Sequence, residues 1–333
     1  MEAKMNIHDV AKKSGLSVVT VSRVLNNLPS VREANRQKVL KAMEELNYQP
    51  NSAARSLVRG KTGVIGMSIT NFNDSFYDRV IRVVNRKLAA QGYFLALSIA
   101  ENEDEGDNFL FQKDRVDGII LLSPLEEKAY VEELKRKNIP FVLLDNQFQH
   151  EDVPSVVVDN YQGGYEATKH LIDLGHTQIA YIGGPSVFLS VAERKRGYVQ
   201  ALEDAGLTPF GTEYCSFTVS GGYEVAKRWI REDKLPTAFF SGDDFIALGM
   251  VQALREEGIR VPHDISIVGF DDQQFVGEFY PRLTTVRQPE AQMGNIGVDL
   301  LLKMINGEVM PPAVTKLAPQ LLIRESTASV RLP

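Results

Sequence analysis

Apolar positions near the start of the chain recur at three- and four-residue intervals, the period of a helix with one buried face. Asn6 can cap a first helix, with Asp9 three residues on and Val10 and Ala11 facing inward. Gly15 then supplies a turn, and Ser17 caps a second helix over Val21, Val24 and Leu25. Ser30 with Glu33 has the spacing of a capping box for a third helix, whose apolar face is Val39, Met43 and Leu46. Two helices joined by a short turn containing Gly are the helix-turn-helix pattern, and its second helix, here 18–25, is the one that enters the major groove. Pro50 stops the third helix, Asn51 can cap a brief further helix through Leu57, and Gly60 ends it.

Beyond this head the pattern changes to short β-rich runs that stop at small or acidic residues. They are VIGMSITN (64–71), GIILLSP (118–124), FVLLDN (141–146), IAYIGGP (179–185), AFFSGDD (238–244) and ISIVGFDD (265–272). Helical stretches at 77–90, 163–174, 192–205, 222–232 and 245–257 lie between them. Alternating strand and helix predicts an α/β body of doubly wound parallel sheets with helices on both faces. Ligands of such folds sit outside the carboxyl ends of the strands, where Asp145, Asp243, Asp244, Asp271 and Asp272 gather.

Charge divides the chain at the same place. Residues 1–61 carry eleven Lys and Arg against five acids, a net +6, whereas the whole chain carries −6 and the remainder therefore −12. A basic head on an acidic body is the footprint of a nucleic-acid module joined to something that does not bind nucleic acid. A length of 333 residues implies two or three domains, and 44% hydrophobic with 24% charged residues describes a globular chain. The opening MEAKMNIHDV has no apolar run, and no stretch reaches the roughly 18 apolar residues of a membrane span, so a cytoplasmic protein without a membrane role is expected. One cysteine, Cys215, excludes an internal disulfide or a cysteine-based metal cage, and the five histidines show no metal-ligand spacing.

Signs of catalysis are weak. RGKTG suggests a phosphate loop, but the glycine required five residues before Gly60 is Arg55. Neither G-x-G-x-x-G, G-x-S-x-G nor H-E-x-x-H occurs. Asp271 and Asp272 are a carboxylate pair, yet adjacent residues on a strand point to opposite faces. Neither an enzyme nor a cofactor is expected.

The stretches IHDVAKKSGLSVVTVSRVLNN and KVLKAMEELNYQPNSAARSL, with VDGIILL, LGHTQIAYIGGP, PTAFFSGDDFIALGMVQALREEGIRVPHDISIVGFDD, LTTVRQP and IREST, carry a likeness over nearly the whole chain. In them the protein resembles the lactose-repressor (LacI/GalR-type) family of bacterial transcription regulators. The resemblance implies a helix-turn-helix head over 1–47 and a hinge helix over 48–62. It further implies a two-lobed core like that of periplasmic sugar-binding proteins, with an N-terminal lobe over 63–160 and 291–318 and a C-terminal lobe over 161–290 and 319–333. The function implied is repression of carbohydrate genes under a sugar-like effector bound between the lobes. The partners implied are an inverted-repeat DNA operator and a second copy of the chain. RESTASVRLP ends the sequence without a leucine heptad, so a dimer is expected, and the sequence leaves open whether a phosphorylated partner protein takes part. Two other readings stand beside this one: a free sugar-binding protein of transport or sensing, and a sugar-processing enzyme.

Residue roles follow. Arg23 is suited to base or phosphate contact, and Ser17, Thr20, Ser22 and Asn26 to phosphate anchoring, although Ser17 also serves as a cap and Asn26 as a helix stop. Val18 and Val19 open the recognition helix. At about 100° per residue Val18 shares the face of Val21, whereas Val19 points to solvent, where it can pack against a thymine methyl. In the family, leucines matching Leu57 wedge into a minor-groove step, and Ala54 would let paired hinge helices approach. Asp145, Arg194, Phe217, Asp243, Asp271 and Gln288 match family effector positions, with Phe76 and Tyr77 on the other wall. Asp243 replaces the amide of the lactose repressor, and three carboxylates would repel a phosphorylated effector.

Overall fold

The structure is a computed structural model that describes residues 5–25, 29–48, 61–70, 75–99, 110–123, 127–146, 153–278, 280–308 and 313–330. Residues 1–62 and 63–333 form two compact units. The smaller is a three-helix head: α1 (Ile7–Ser14), α2 (Val18–Leu25) and α3 (Glu33–Glu45). Asn6 and Asp9 form a capping box at α1. Gly15, at φ 66° in the left-handed region, closes that helix and turns the chain toward α2. Val10, Ala11, Val21, Val24, Val39 and Ala42 are the buried centre of the head.

One expectation fails here. Helix α3 starts at Glu33 with Arg32 in the cap position and no side-chain cap, so Ser30 and Glu33 make no capping box. Pro29 and Ser30 lie in a turn and Arg32 precedes the helix, which leaves Glu33 as the first helical residue. Its carboxylate accepts from Gln37 Nε2 at 2.7 Å and favours the positive end of the helix dipole.

The larger unit has two sheets. The first, ordered β11-β5-β4-β3-β1-β2, joins β1 (Val64–Ile69), β2 (Phe94–Ile99), β3 (Gly118–Leu122), β4 (Phe141–Leu144), β5 (Ser155–Val158) and β11 (Val314–Leu317), all in parallel. Helices α4 (Ser75–Ala90) and α10 (Glu290–Ile305) cover one face through Val80, Val84, Leu88, Met293, Val298 and Leu301, and α5 (Glu127–Lys137) covers the other. The second sheet, ordered β12-β10-β9-β8-β6-β7, joins β6 (Ile179–Gly183), β7 (Gly211–Tyr214), β8 (Ala238–Ser241), β9 (Ser266–Phe270), β10 (Thr284–Arg287) and β12 (Gln320–Leu322). Its one antiparallel pair is β10 with β12. Helices α6 (Asn160–Asp173) and α7 (Leu189–Asp204) pack on one face, α8 (Val219–Arg231) and α9 (Asp244–Glu256) on the other.

The chain passes between the sheets three times: from β5 into α6, from β10 into α10, and from β11 into β12. Helices α6 and α7 touch backbone to backbone. An added Cβ at Gly164 would lie 2.2 Å from Arg194 O, and one at Gly197 would lie 2.1 Å from Tyr161 O. That contact fixes where Arg194 projects.

Candidate DNA-reading helix and effector cleft

Ser17 caps α2 through its own hydroxyl, which accepts from Thr20 N at 3.2 Å and lies 2.9 Å from Thr20 Oγ1. Val21 and Val24 are buried, Val18 is half-buried against the same cluster, and Val19 is 61% exposed. Arg23 is exposed and Ser22 half-buried. The helix therefore offers Val19 and Arg23 outward from a rigid three-helix base. Asn26, Asn51, Ala54 and Leu57 lie outside the described residues.

In the core unit, the carboxyl ends of β8, β9 and β10 converge with α7. Arg194, only 5% exposed, donates from Nε to Asn160 Oδ1 at 2.9 Å, from Nη1 to the Gly242 carbonyl, and from Nη2 to Asp271 Oδ1 at 3.3 Å. Its guanidinium lies 3.6 Å from the centre of the Phe270 ring. Gln288 Nε2 donates to Asp271 Oδ1 at 2.6 Å. Gln288 Oε1 is buried and has no hydrogen-bond partner among the described residues, an arrangement that costs free energy unless something donates to it. Asp243 caps α9, accepting from Ile246 N at 2.7 Å. Asp244 is fully buried, and burial together with the nearby Asp271 charge pushes its carboxyl well above the usual range.

Asp271 and Asp272 are not on a strand. β9 ends at Phe270, and both aspartates sit past it in the left-handed region, at φ 101° and 48°. Their carboxylates part company because the turn separates them. Asp271 faces Arg194 and Gln288, whereas Asp272 is held by Arg287 Nε at 2.8 Å and Arg324 Nη2 at 2.5 Å. Burial acts to raise the Asp272 carboxyl, but the two guanidiniums outweigh it and hold it below the usual range.

A cleft open to solvent lies beside this cluster and is lined by Asp145, Asn146, Asn160, Ser190, Glu193 and Lys316 among others. Asp145, at the end of β4, accepts from Ser123 Oγ at 2.7 Å. The anticipated residues thus divide. Arg194, Asp271 and Gln288 form one bonded cluster, Asp145 reaches the adjoining cleft, and Asn160 belongs to both. Phe217 is half-buried over Gly184, with Phe188 5.8 Å away. Tyr77 accepts from Thr70 Oγ1 at 3.0 Å. Phe76 is the outlier: at 3% exposure it is packed inside the core of the first sheet, because it follows the inward stripe of Val80 and Val84. The thiol of Cys215 is pushed up to about 12 by burial, with Asp243 adding to the effect, the opposite of what an activated nucleophile needs.

Sequence reasoning missed Asn160, Ser75, Arg79 and Gln273. Asn160 carried a usable signal, since Asp159–Asn160 follows a strand as the other site residues do. Arg79 carried none, being one of several arginines on an amphipathic helix. No group of metal-binding side chains and no helix long and apolar enough to cross a membrane occurs among the described residues.

The family pattern for "Bacterial regulatory proteins, lacI family" matches residues 6–51, and that for "Periplasmic binding protein-like domain" matches 168–327. Catabolite control protein A of Priestia megaterium is 34% identical over 330 residues, 97% of this chain and 99% of that protein. The lac repressor dimer bound to operator and the anti-inducer ONPF superposes with a TM-score of 0.89 at 29% identity, over 98% of this chain and 100% of that one. The complex of the transcriptional regulator CelR with cellobiose superposes with a TM-score of 0.75 at 30% identity, over 97% and 99%.

Proposed function

Because this chain belongs to the lacI family of bacterial regulatory proteins, we propose that it represses carbohydrate genes by placing α2 in the major groove of an inverted-repeat operator, under control of a small polyol bound at Arg194, Asp271 and Gln288. It is a DNA-binding regulator and not an enzyme. The transport reading would leave residues 6–51 without a role.

One observation carries the effector reading: the buried Arg194–Asp271–Gln288 cluster ends in an amide oxygen, Gln288 Oε1, that has no donor among the described residues. A sugar hydroxyl can donate to Oε1 while its own oxygen accepts from a guanidinium, which a carboxylate or a fully ionised phosphate cannot do. Phe270 shows that this arginine already stacks on an aromatic face. The bound cellobiose of CelR accords with a sugar ligand in such a core. Allostery then requires that ligand and operator favour different lobe arrangements.

The protein is expected to act as a dimer, as the operator-bound lac repressor is. Support comes from β2, an edge strand with Phe94 77%, Leu97 39% and Ile99 38% exposed. An apolar edge of this kind is suited to burial against a second copy.

A thermal-shift panel of D-ribose, cellobiose, glucose and glucose 6-phosphate tests the cleft, since a ligand at a hundred times its Kd stabilises by about 2.7 kcal/mol. The shift given by the responding sugar is expected to vanish in Arg194→Ala and in Asp271→Ala, with DNA binding in a gel shift retained. Gln288→Leu, close to isosteric, is the variant least prone to misfolding. Wild-type ligand affinity in all three would place the effector elsewhere.

A further inference from the structure

The turn Asp271–Gln273 does more than present a carboxylate. It is over-determined by contacts from both lobes, as two successive non-glycine residues at positive φ require. From its own lobe, Gln273 N donates to Asp244 Oδ2 at 2.7 Å, and the Thr285 hydroxyl donates to Asp244 Oδ1 at 2.6 Å. From the other lobe comes Arg79 of α4. Its Nη2 donates to Asp271 O at 2.8 Å, its Nη1 to Asp272 O at 3.0 Å, and its Nε to Glu290 Oε1 at 2.8 Å. Ser75 adds a bond from its amide to Gln273 Oε1 at 3.0 Å, and its hydroxyl meets the same oxygen.

We propose that Arg79 is a positioning residue that clamps the two carbonyls of this turn from the opposite lobe and thereby sets Asp271 toward Arg194 and Gln288. Its functional meaning rests on the reading of the cleft given above. The mechanics follow from the backbone. The Asp271 carbonyl carbon is bonded to the Cα that bears the carboxylate, so holding the Asp271 and Asp272 carbonyls fixes the main chain of the turn from which that side chain departs. A lobe displacement that withdraws Arg79 therefore loosens Asp271. Conversely, a ligand that draws on the Asp271 carboxylate changes the grip of the turn on α4, because coupling between two sites is reciprocal. A planar fork is needed for this task. Lysine, a point charge, cannot hold two carbonyls and the Glu290 carboxylate at once.

Amide hydrogen exchange, read by mass spectrometry on the full-length protein without ligand, tests the clamp in wild type, Arg79→Ala and Arg79→Lys. Exchange in peptides covering 271–277 is expected to rise at least tenfold in both variants, with β9 and α9 unchanged. Wild-type exchange in that segment in either variant overturns the proposal, and so does a rise spread evenly over the whole core. In the lysine variant, wild-type exchange would mean that charge alone suffices. Since no sugar is present, the result is independent of the effector assignment, which stands or falls on the thermal-shift panel.

Discussion

A thymine presents one apolar feature to the major groove, its C5-methyl, and Val19 is the exposed aliphatic residue of α2. Val18, one position earlier, packs into the head instead. That division was legible in the sequence, because Val18 lies three positions before buried Val21 while Val19 falls between the inward stripes. The expected consequence is a thymine under Val19 in each half-site. Replacing it by uracil removes one methyl, worth about 0.8 kcal/mol when buried, or roughly fourfold in affinity per half-site. Fluorescence anisotropy should show that loss for wild type and little of it for Val19→Ala. Equal losses in the two proteins would mean that Val19 reads something else. Arg79 was not legible in this way. Its partner carbonyls are 192 and 193 positions away, and no local period encodes a contact at that distance.

Elements were read best where a run was buried on both faces and bounded by turns, as in β1, β3, β4, β6, β8 and β9. The edge strand β2 escaped because half of its residues face solvent. No period in the sequence located the partners of the C-terminal segment, which lies across β9 and the end of α6. Ser326 O accepts from Ile267 N at 2.9 Å, Ala328 N donates to Ser266 Oγ at 3.1 Å, and Val330 N donates to Leu174 O at 3.0 Å. Buried His176 fastens it, with Nε2 3.0 Å from Ala328 O and 3.1 Å from Ser266 Oγ, while His170 Nε2 meets Thr327 Oγ1 at 3.0 Å. Burial lowers both histidines below the ordinary 6.5, with the Ala328 carbonyl opposing it at His176. The unfolded chain therefore takes up protons that the folded one refuses, and this part of the stability is lost as pH falls through 6.5. Asp244 and Glu290, raised chiefly by burial, act in the opposite sense. The difference between proteins is therefore the informative quantity. From about pH 8 to about 5.5 the Tm of wild type should fall more than that of His176→Gln; parallel Tm profiles would exclude His176 as the titrating group.

At the scale of the whole molecule, the clamp and the apolar edge belong to one continuous element. Helix α4 begins beside the Asp271–Gln273 turn, runs to Ala90, and turns through Gly92, at φ 78°, into β2. A shift at Arg79 is thus delivered to the edge strand on which Phe94, Leu97 and Ile99 stand exposed. If a second copy covers that edge about a two-fold axis, each side chain there occurs twice in one interface. Phe94→Lys then removes two aromatic rings and brings two like charges into a space meant to be dry, so the dimer should dissociate. Two linked heads gain roughly 10²–10⁴ in operator affinity over one, through effective concentration alone. Affinity for an inverted repeat should fall by about that factor, while affinity for an isolated half-site, governed by phosphate charge and α2, should hardly change. Sedimentation velocity and anisotropy on the same samples check both halves of the argument. A Phe94→Lys protein that sediments as the wild type does, with operator affinity intact, would move the interface off β2.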